Sequence, residues 1–310
     1  MPSFAVTLNA IAPVVLCLLL GKLLTRARLF RDLDWASLEK IMFWVFLPPL
    51  IFTAIVRGDF AIGASLKLAA VFVVAQTSTA LLAVAHARIA RLPTATMTSL
   101  FQNAVRWNNI IPIALATALY GDAGLELVAI ALAVMVPIAN ASCIVVMEYA
   151  LPRAHNASAW AKAAAVLKNP LIVACIAGLG VKIIGVPLPD ALTGTLDILA
   201  AATLGVGLLV VGASISPEQM RRARLHIALA TTLKIIAMPL LTLALTIVAG
   251  IDGLARVIAV LCAAAPTAMQ GYIVARNMGG DAELMSSMIA TGHLAAGITI
   301  PLMLWLAISV

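Results

Sequence analysis

Apolar runs follow one another along nearly all of the 310-residue chain. Each is close to the roughly 20 residues that an α-helix needs to cross a bilayer. They fall at approximately 4–24, 38–56, 62–86, 94–120, 124–148, 162–184, 192–213, 225–249, 254–276 and 283–308. Lipid offers no partner to a backbone N–H or C=O, so runs of this length read as helices. The expected fold is an all-α membrane protein with ten transmembrane helices. Hydrophobic residues make up 63% of the chain, and the residues between runs are too few to bury a core of their own. Residues 1–310 therefore read as a single membrane domain. The first run lacks a basic leader and continues to Leu24, which reads as a first span rather than a cleaved signal peptide.

The net charge of +7 does not point to nucleic acid in such a chain. Basic residues of membrane proteins gather in cytoplasmic connections. Fourteen Lys and Arg lie in or beside the odd-numbered connections, against Arg57, Lys67, Lys182 and Arg256 in the even-numbered ones. That imbalance puts the odd connections in the cytoplasm and both termini outside. The four cysteines, Cys17, Cys143, Cys175 and Cys262, are scattered through apolar runs, so neither a disulfide framework nor a metal site is expected. No cofactor is indicated.

The two halves resemble each other. "PVVLCLLLG" (13–21) matches "PLIVACIAG" (170–178). Gly-Asp-Ala precedes or opens the fifth run at 121–123 and recurs before the tenth at 280–282. In each copy the Asp, Asp122 or Asp281, is suited to cap a helix. Pro112 lies near the middle of the fourth run, and Pro266 near the middle of the ninth. Five spans per half is an odd number, so the second copy must be inverted. Residues 1–155 form repeat one and 156–310 repeat two. Inverted repeats with interrupted helices in matching places are the mark of a secondary transporter.

The most polar part of the fourth run is "QNAVRWNNIIP", residues 102–112. A proline cannot donate an N–H and its ring clashes with the preceding turn. The amides before it can satisfy the backbone groups that a break sets free. The ninth run offers Thr267, Gln270 and Gly271 in the same place. Unwound backbone at membrane depth is tolerated where it is buried in protein or lines a cavity. Helices restarting there would aim N–H groups and a partial positive charge into it. A simple proline kink is the alternative, above all for Pro266.

Arg106 lies about 20 Å along the helix from Pro93, near the middle of a core of about 30 Å. The thirteen acidic residues, from Asp32 to Glu283, all fall in connections or in the first or last turns of runs. No carboxylate is thus placed to neutralise Arg106. Either an anionic substrate supplies the partner, held bidentately, or the guanidinium binds freed carbonyls or snorkels. Lys234 is expected to snorkel toward the cytoplasmic end. His293 is a core histidine or a proton-coupling group. Asn140, near Pro137, is a candidate site wall; Pro48, Pro49 and Thr53 are weaker candidates.

The sequence resembles the auxin efflux carrier family, which includes the plant PIN-type carriers and many bacterial proteins. The resemblance is carried by "FWVFLPPLIFTAIV", "RWNNIIPIALATALYGDAG", "LKIIAMPLLTLALTIV" and "APTAMQGYIVARNMGGDAELMSSMIATGHLAAGITIPLMLW". It implies two inverted five-helix repeats, with helices 4 and 9 broken and crossing at Pro112 and Pro266. It also implies a scaffold of helices 1, 2, 6 and 7 and a mobile transport unit of helices 3–5 and 8–10. In plant relatives, amides near the crossover hold the substrate carboxylate, and Asn103, Asn108, Asn109 and Asn140 match them. With Arg106, Thr267 and Gln270 they form the expected substrate site. The long central loop of some plant members is absent, and the "RxN" form of helix 4 belongs with bacterial relatives linked to malonate, malate and similar acids. The implied function is elevator-type transport of a small organic anion through a bacterial inner membrane. The expected partners are that anion and the lipid bilayer, with a homodimer as candidate assembly.

The alternative is a Na⁺-coupled organic-anion symporter of the bile-acid type, told apart by Na⁺ dependence. An enzyme would need paired acids, a nucleophile with its base, or metal ligands at one depth, and the sequence groups none of these. The orientation is testable. In a cysteine-free background, Arg57→Cys should react with a membrane-impermeant maleimide from the periplasmic side. Arg28→Cys should react only after the inner membrane is permeabilised. The opposite pattern would invert the topology.

Overall fold

The computed structural model describes residues 13, 16–30, 33–57, 62–151, 168, 170–214, 224–268 and 270–310. The first part of run one, the Gly58-Asp59 turn, the start of run six with the connection before it, and the connection 215–223 lie outside the described residues. Among the described residues the structure is helical, with no strand.

The helices are α1 (16–24), α2 (Trp35–Arg57), α3 (Ile62–Ile89), α4 (Thr94–Val105) and α5 (Ile110–Ala150). They continue with α6 (Pro170–Ile184), α7 (Asp190–Ser214), α8 (224–248), α9 (Gly253–Ala264), α10 (Gln270–Met278) and α11 (Ala282–Ser309). Among the described residues, six helical stretches are long and apolar enough to cross a membrane. One of them, Thr94–Ala150, is 57 residues, about 85 Å at 1.5 Å per residue, and is interrupted at 106–109 and at Gly121. Gly121 has φ 61 and ψ −144, a conformation that side chains disfavour. Large apolar side chains face outward along the helices: Leu66, Ile198, Val248 and Ile298 are 66%, 74%, 85% and 77% exposed. Water would leave such a surface association-prone, whereas lipid solvates it. The chain is a multi-pass membrane protein.

Local chemistry sets the helix ends. Asp34 caps α2 by accepting the N–H groups of Ala36 and Ser37, and the Ser37 hydroxyl bonds the same carboxylate. That hydroxyl, with the backbone N–H groups, holds the Asp34 carboxyl below its usual range. Asp281 caps α11 through the N–H of Leu284, as the sequence suggests. Asp122, just past the break at Gly121, makes no such cap.

Two π-helical turns have a common cause. Met42–Phe46 precedes Pro48-Pro49 in α2, and Leu233–Ala237 precedes Pro239 in α8. A proline leaves the carbonyl four residues back without its donor. The chain widens one turn, so that Leu47 donates to Met42 and Met238 to Leu233. Thr203 of α7 donates to the Phe46 carbonyl at the end of this turn.

Packing divides along two lines. α2 packs closely on α6 and α7. α3, α4, α8, α9 and α11 pack among themselves, and α5 packs on both sets. α1 meets α7 through glycines: a Cβ on Gly212 would come within 2.0 Å of the Leu18 carbonyl oxygen, and one on Gly21 within 2.1 Å of that of Leu209. These approaches let two backbones touch, as small residues do between membrane helices. Gly212→Ala is expected to force them apart and cost about 1–3 kcal/mol, read as a lower melting temperature in detergent. Gly180→Ala, where a Cβ meets nothing within 4 Å, should leave it unchanged.

Candidate functional site

Two interrupted helices meet inside the molecule. α4 stops at Val105 and α5 starts at Ile110; α9 stops at Ala264 and α10 starts at Gln270. The extended residues between them touch: the N–H of Asn108 donates to the carbonyl of Pro266 at 2.7 Å. Pro266 thus lies within its break. Pro112 does not: it is the third residue of α5, in the first turn, where its missing N–H is harmless. The interruption at 106–109 precedes it.

Side chains complete the joint. Thr267 donates to both the backbone and side-chain oxygens of Asn103, at 3.0 and 2.8 Å. The Asn103 amide N–H₂ donates to the carbonyl of Ala230 in α8 at 3.0 Å. Gln76 of α3 donates to the Val105 carbonyl, the one that ends α4, at 2.6 Å. Asn108 accepts the N–H of Ile110 at 2.9 Å and so caps α5. Its N–H₂ faces His293 Nε2 at 3.1 Å, while His293 Nδ1 lies 2.8 Å from the Ile289 carbonyl. A carbonyl can only accept, so Nδ1 carries the proton and Nε2 accepts from Asn108. Both ring nitrogens of His293 are therefore engaged in holding the joint.

Arg106 is 5% exposed. Its Nε donates to Gln102 at 3.1 Å and one Nη to Asn140 at 3.1 Å. Among the described residues no carboxylate pairs with it. Its aliphatic stem lies over the start of α10, where a Cβ on Gly271 would stand 3.4 Å from its Cδ. The guanidinium thus rests between two neutral amides and a helix N-terminus. Lys234 departs from expectation: it is 1% exposed and does not snorkel. Its face of α8 turns inward against α9 and α11, and its Nζ meets only Met238 Sδ, at 3.2 Å.

A cleft of about 50 Å³, enough for a few waters, lies between these breaks and α2 and α7. Asn108, Asn109, Ala268 and Gln270 line it from the breaks, Val210 and Val211 from α7, and Glu39 from α2. The structure therefore sorts the expected site residues into groups. Asn108, Asn109 and Gln270 share the cleft, and Arg106 and Asn140 share a contact behind it. Asn103 and Thr267 are spent on each other. Gln76, Gln102 and Glu39 were not expected here. Gln76 had a signal, an amide in the middle of an apolar run. Glu39 was assigned to a first turn, but α2 begins at Trp35 and puts it one turn deeper.

Residues 152–304 match the family model described as "Membrane transport protein", the domain of the auxin efflux carriers. The matched part contains the second break, Lys234 and His293; Arg106 and the first break lie before it. No curated protein matches the chain. Residues 152–304, just under half of the chain, are thus similar to the membrane transport protein family, in line with the resemblance to the auxin efflux carriers.

Proposed function

We propose that this protein carries a small organic anion, a carboxylate, across a bacterial inner membrane by alternating access, with both termini periplasmic. In this reading ten crossings form two inverted repeats, 1–155 and 156–310, and the breaks are the crossover of helices 4 and 9. Their joining by the Asn108–Pro266 bond supports it. α1, α2, α6 and α7 act as scaffold, and α3–α5 with α8–α11 act as the unit that moves, in line with the two packing sets. No catalytic step is involved.

The observation that carries the reading is the buried guanidinium of Arg106 with neutral partners alone, the amides of Gln102 and Asn140 and the thiol of Cys143. A charge at mid-depth costs from about 2.5 to more than 10 kcal/mol. A hydrogen bond to a charged group returns about 1.5–3 kcal/mol. Two amides orient Arg106 but do not neutralise it; an anion does. A carboxylate suits the fork of the guanidinium and the N–H groups that open α10. The side-chain N–H₂ groups of Asn109 and Gln270, which line the cleft, offer further amide donors. Glu39 and Val210 place the cleft at the end of α2 and α7 that the charge distribution assigns to the cytoplasm, so this conformation is read as facing inward.

Short mono- and dicarboxylates, malonate and malate among them, should raise the melting temperature of the purified protein. At one hundred times Kd the gain is about 2.7 kcal/mol, or several degrees. Arg106→Ala should abolish the shift, and Arg106→Lys should keep little of it, because an ammonium does not bind bidentately. Equal stabilisation of wild type and Arg106→Ala would remove Arg106 from the site.

A further inference from the structure

Lys234 is the most costly side chain that the transport reading leaves unused. It is 1% exposed and its three donors find one thioether, a weak acceptor. A cation shut away from water without an anion is costly. A buried methionine or leucine would serve packing at no such cost.

Among the described residues no carboxylate bonds to Lys234. The elements packed on the turn Leu233–Ala237 are α3, α4, α9 and α11. Their ionisable residues are Lys67, His86 and Arg88 in α3, Arg256 and Cys262 in α9, and Glu283 and His293 in α11; α4 has none. On α8 itself stand Arg224 and His226. None of these bonds to Lys234. The proton on Nζ is thus not locked in place by a carboxylate.

Its position is what gives that proton a use. Lys234 is one turn beyond Ala230, whose carbonyl accepts from Asn103. Asn103 in turn is bonded to Thr267 of the other break. Lys234 therefore stands one helical turn from Ala230, the residue on which Asn103, the tie between the two breaks, is anchored. It stands on a π-helical turn, a feature common at functional sites. A cavity of about 210 Å³, lined by His86, Asn103, Ala230 and Leu233, abuts the same turn.

We propose that Lys234 is the proton-binding group that couples anion movement to H⁺; this rests on the transport reading above. The neutral amine takes one proton from the aqueous phase and becomes an ammonium, with no other bond made or broken. An anion on the breaks supplies the missing counter-charge and stabilises the ammonium. By linkage the proton strengthens anion binding by the same factor. The loaded unit then carries the anion's charge and one added positive charge, and the empty unit returns with a neutral amine. Binding is tighter at low pH, where Nζ is protonated, and weakens as pH rises.

The test uses the purified full chain with acetate, malonate, malate and succinate, and methanesulfonate as an anion that stays ionised throughout. Apparent affinities come from thermal shift at pH 6 and pH 8. Wild type should bind at least tenfold more tightly at pH 6. Lys234→Met and Lys234→Gln should bind with equal strength at both values, while melting no lower than wild type without ligand. A wild-type pH dependence that survives in both variants, or no pH dependence in wild type, overturns the proposal and leaves the Arg106 reading intact. Failure of every anion to stabilise wild type at either pH overturns both.

Discussion

The hydrogen bond from Asn108 N–H to the Pro266 carbonyl joins the two places where this protein gives up helical structure. Each break strands backbone groups that lipid cannot satisfy. The cost is tolerable because each break supplies what the other lacks: a donor from 108, an acceptor from 266, and the Thr267 hydroxyl for the oxygens of Asn103. Gln76 closes the end of α4, and Asn108 opens α5. Most of the polar residues at this depth are structural first. They hold two helix N-termini at one spot, and any anion chemistry depends on that placement.

Within this frame the cations are the residues left over. Asn103 and Asn108 have partners; the guanidinium of Arg106 has only neutral ones, and the amine of Lys234 has a sulfur atom. Arg106 stands in the first break, and Lys234 one turn from Ala230, which anchors Asn103. A site that contains positive charge and helix N-termini, with no carboxylate bonded to either cation among the described residues, is poised for an anion from outside. The one carboxylate that lines the cleft, Glu39, comes from α2, across the cleft from the breaks. It leaves the breaks themselves positive.

Much of this was legible in the chain. The positions of Pro112 and Pro266, the amides around Arg106, and the resemblance to the auxin efflux carriers pointed to residues 102–112 and 265–271. The matched family supports that direction for 152–304. The individual roles were not legible. Asn103 and Thr267, expected at the substrate site, are bonded to each other across the two breaks. His293, a core histidine or a proton-coupling group by sequence, accepts from Asn108. Lys234 was expected to reach for the headgroups and instead points inward. In each case the side chain's chemistry allowed both outcomes, and the choice depended on a partner more than a hundred residues away or on which face of a helix was buried.

The sequence by itself determined that the chain crosses a membrane as helices, because long apolar runs in lipid permit no other backbone pairing. It also determined where those helices are weakest, because a proline's missing N–H and a cluster of amides are local properties. Only the tertiary structure decided that the weak points meet and which amides are consumed in joining them. It alone decided that Arg106 and Lys234 are sealed in without a carboxylate. Burial and pairing are properties of distance between segments, and the order of residues along a chain does not specify that distance until the helices pack.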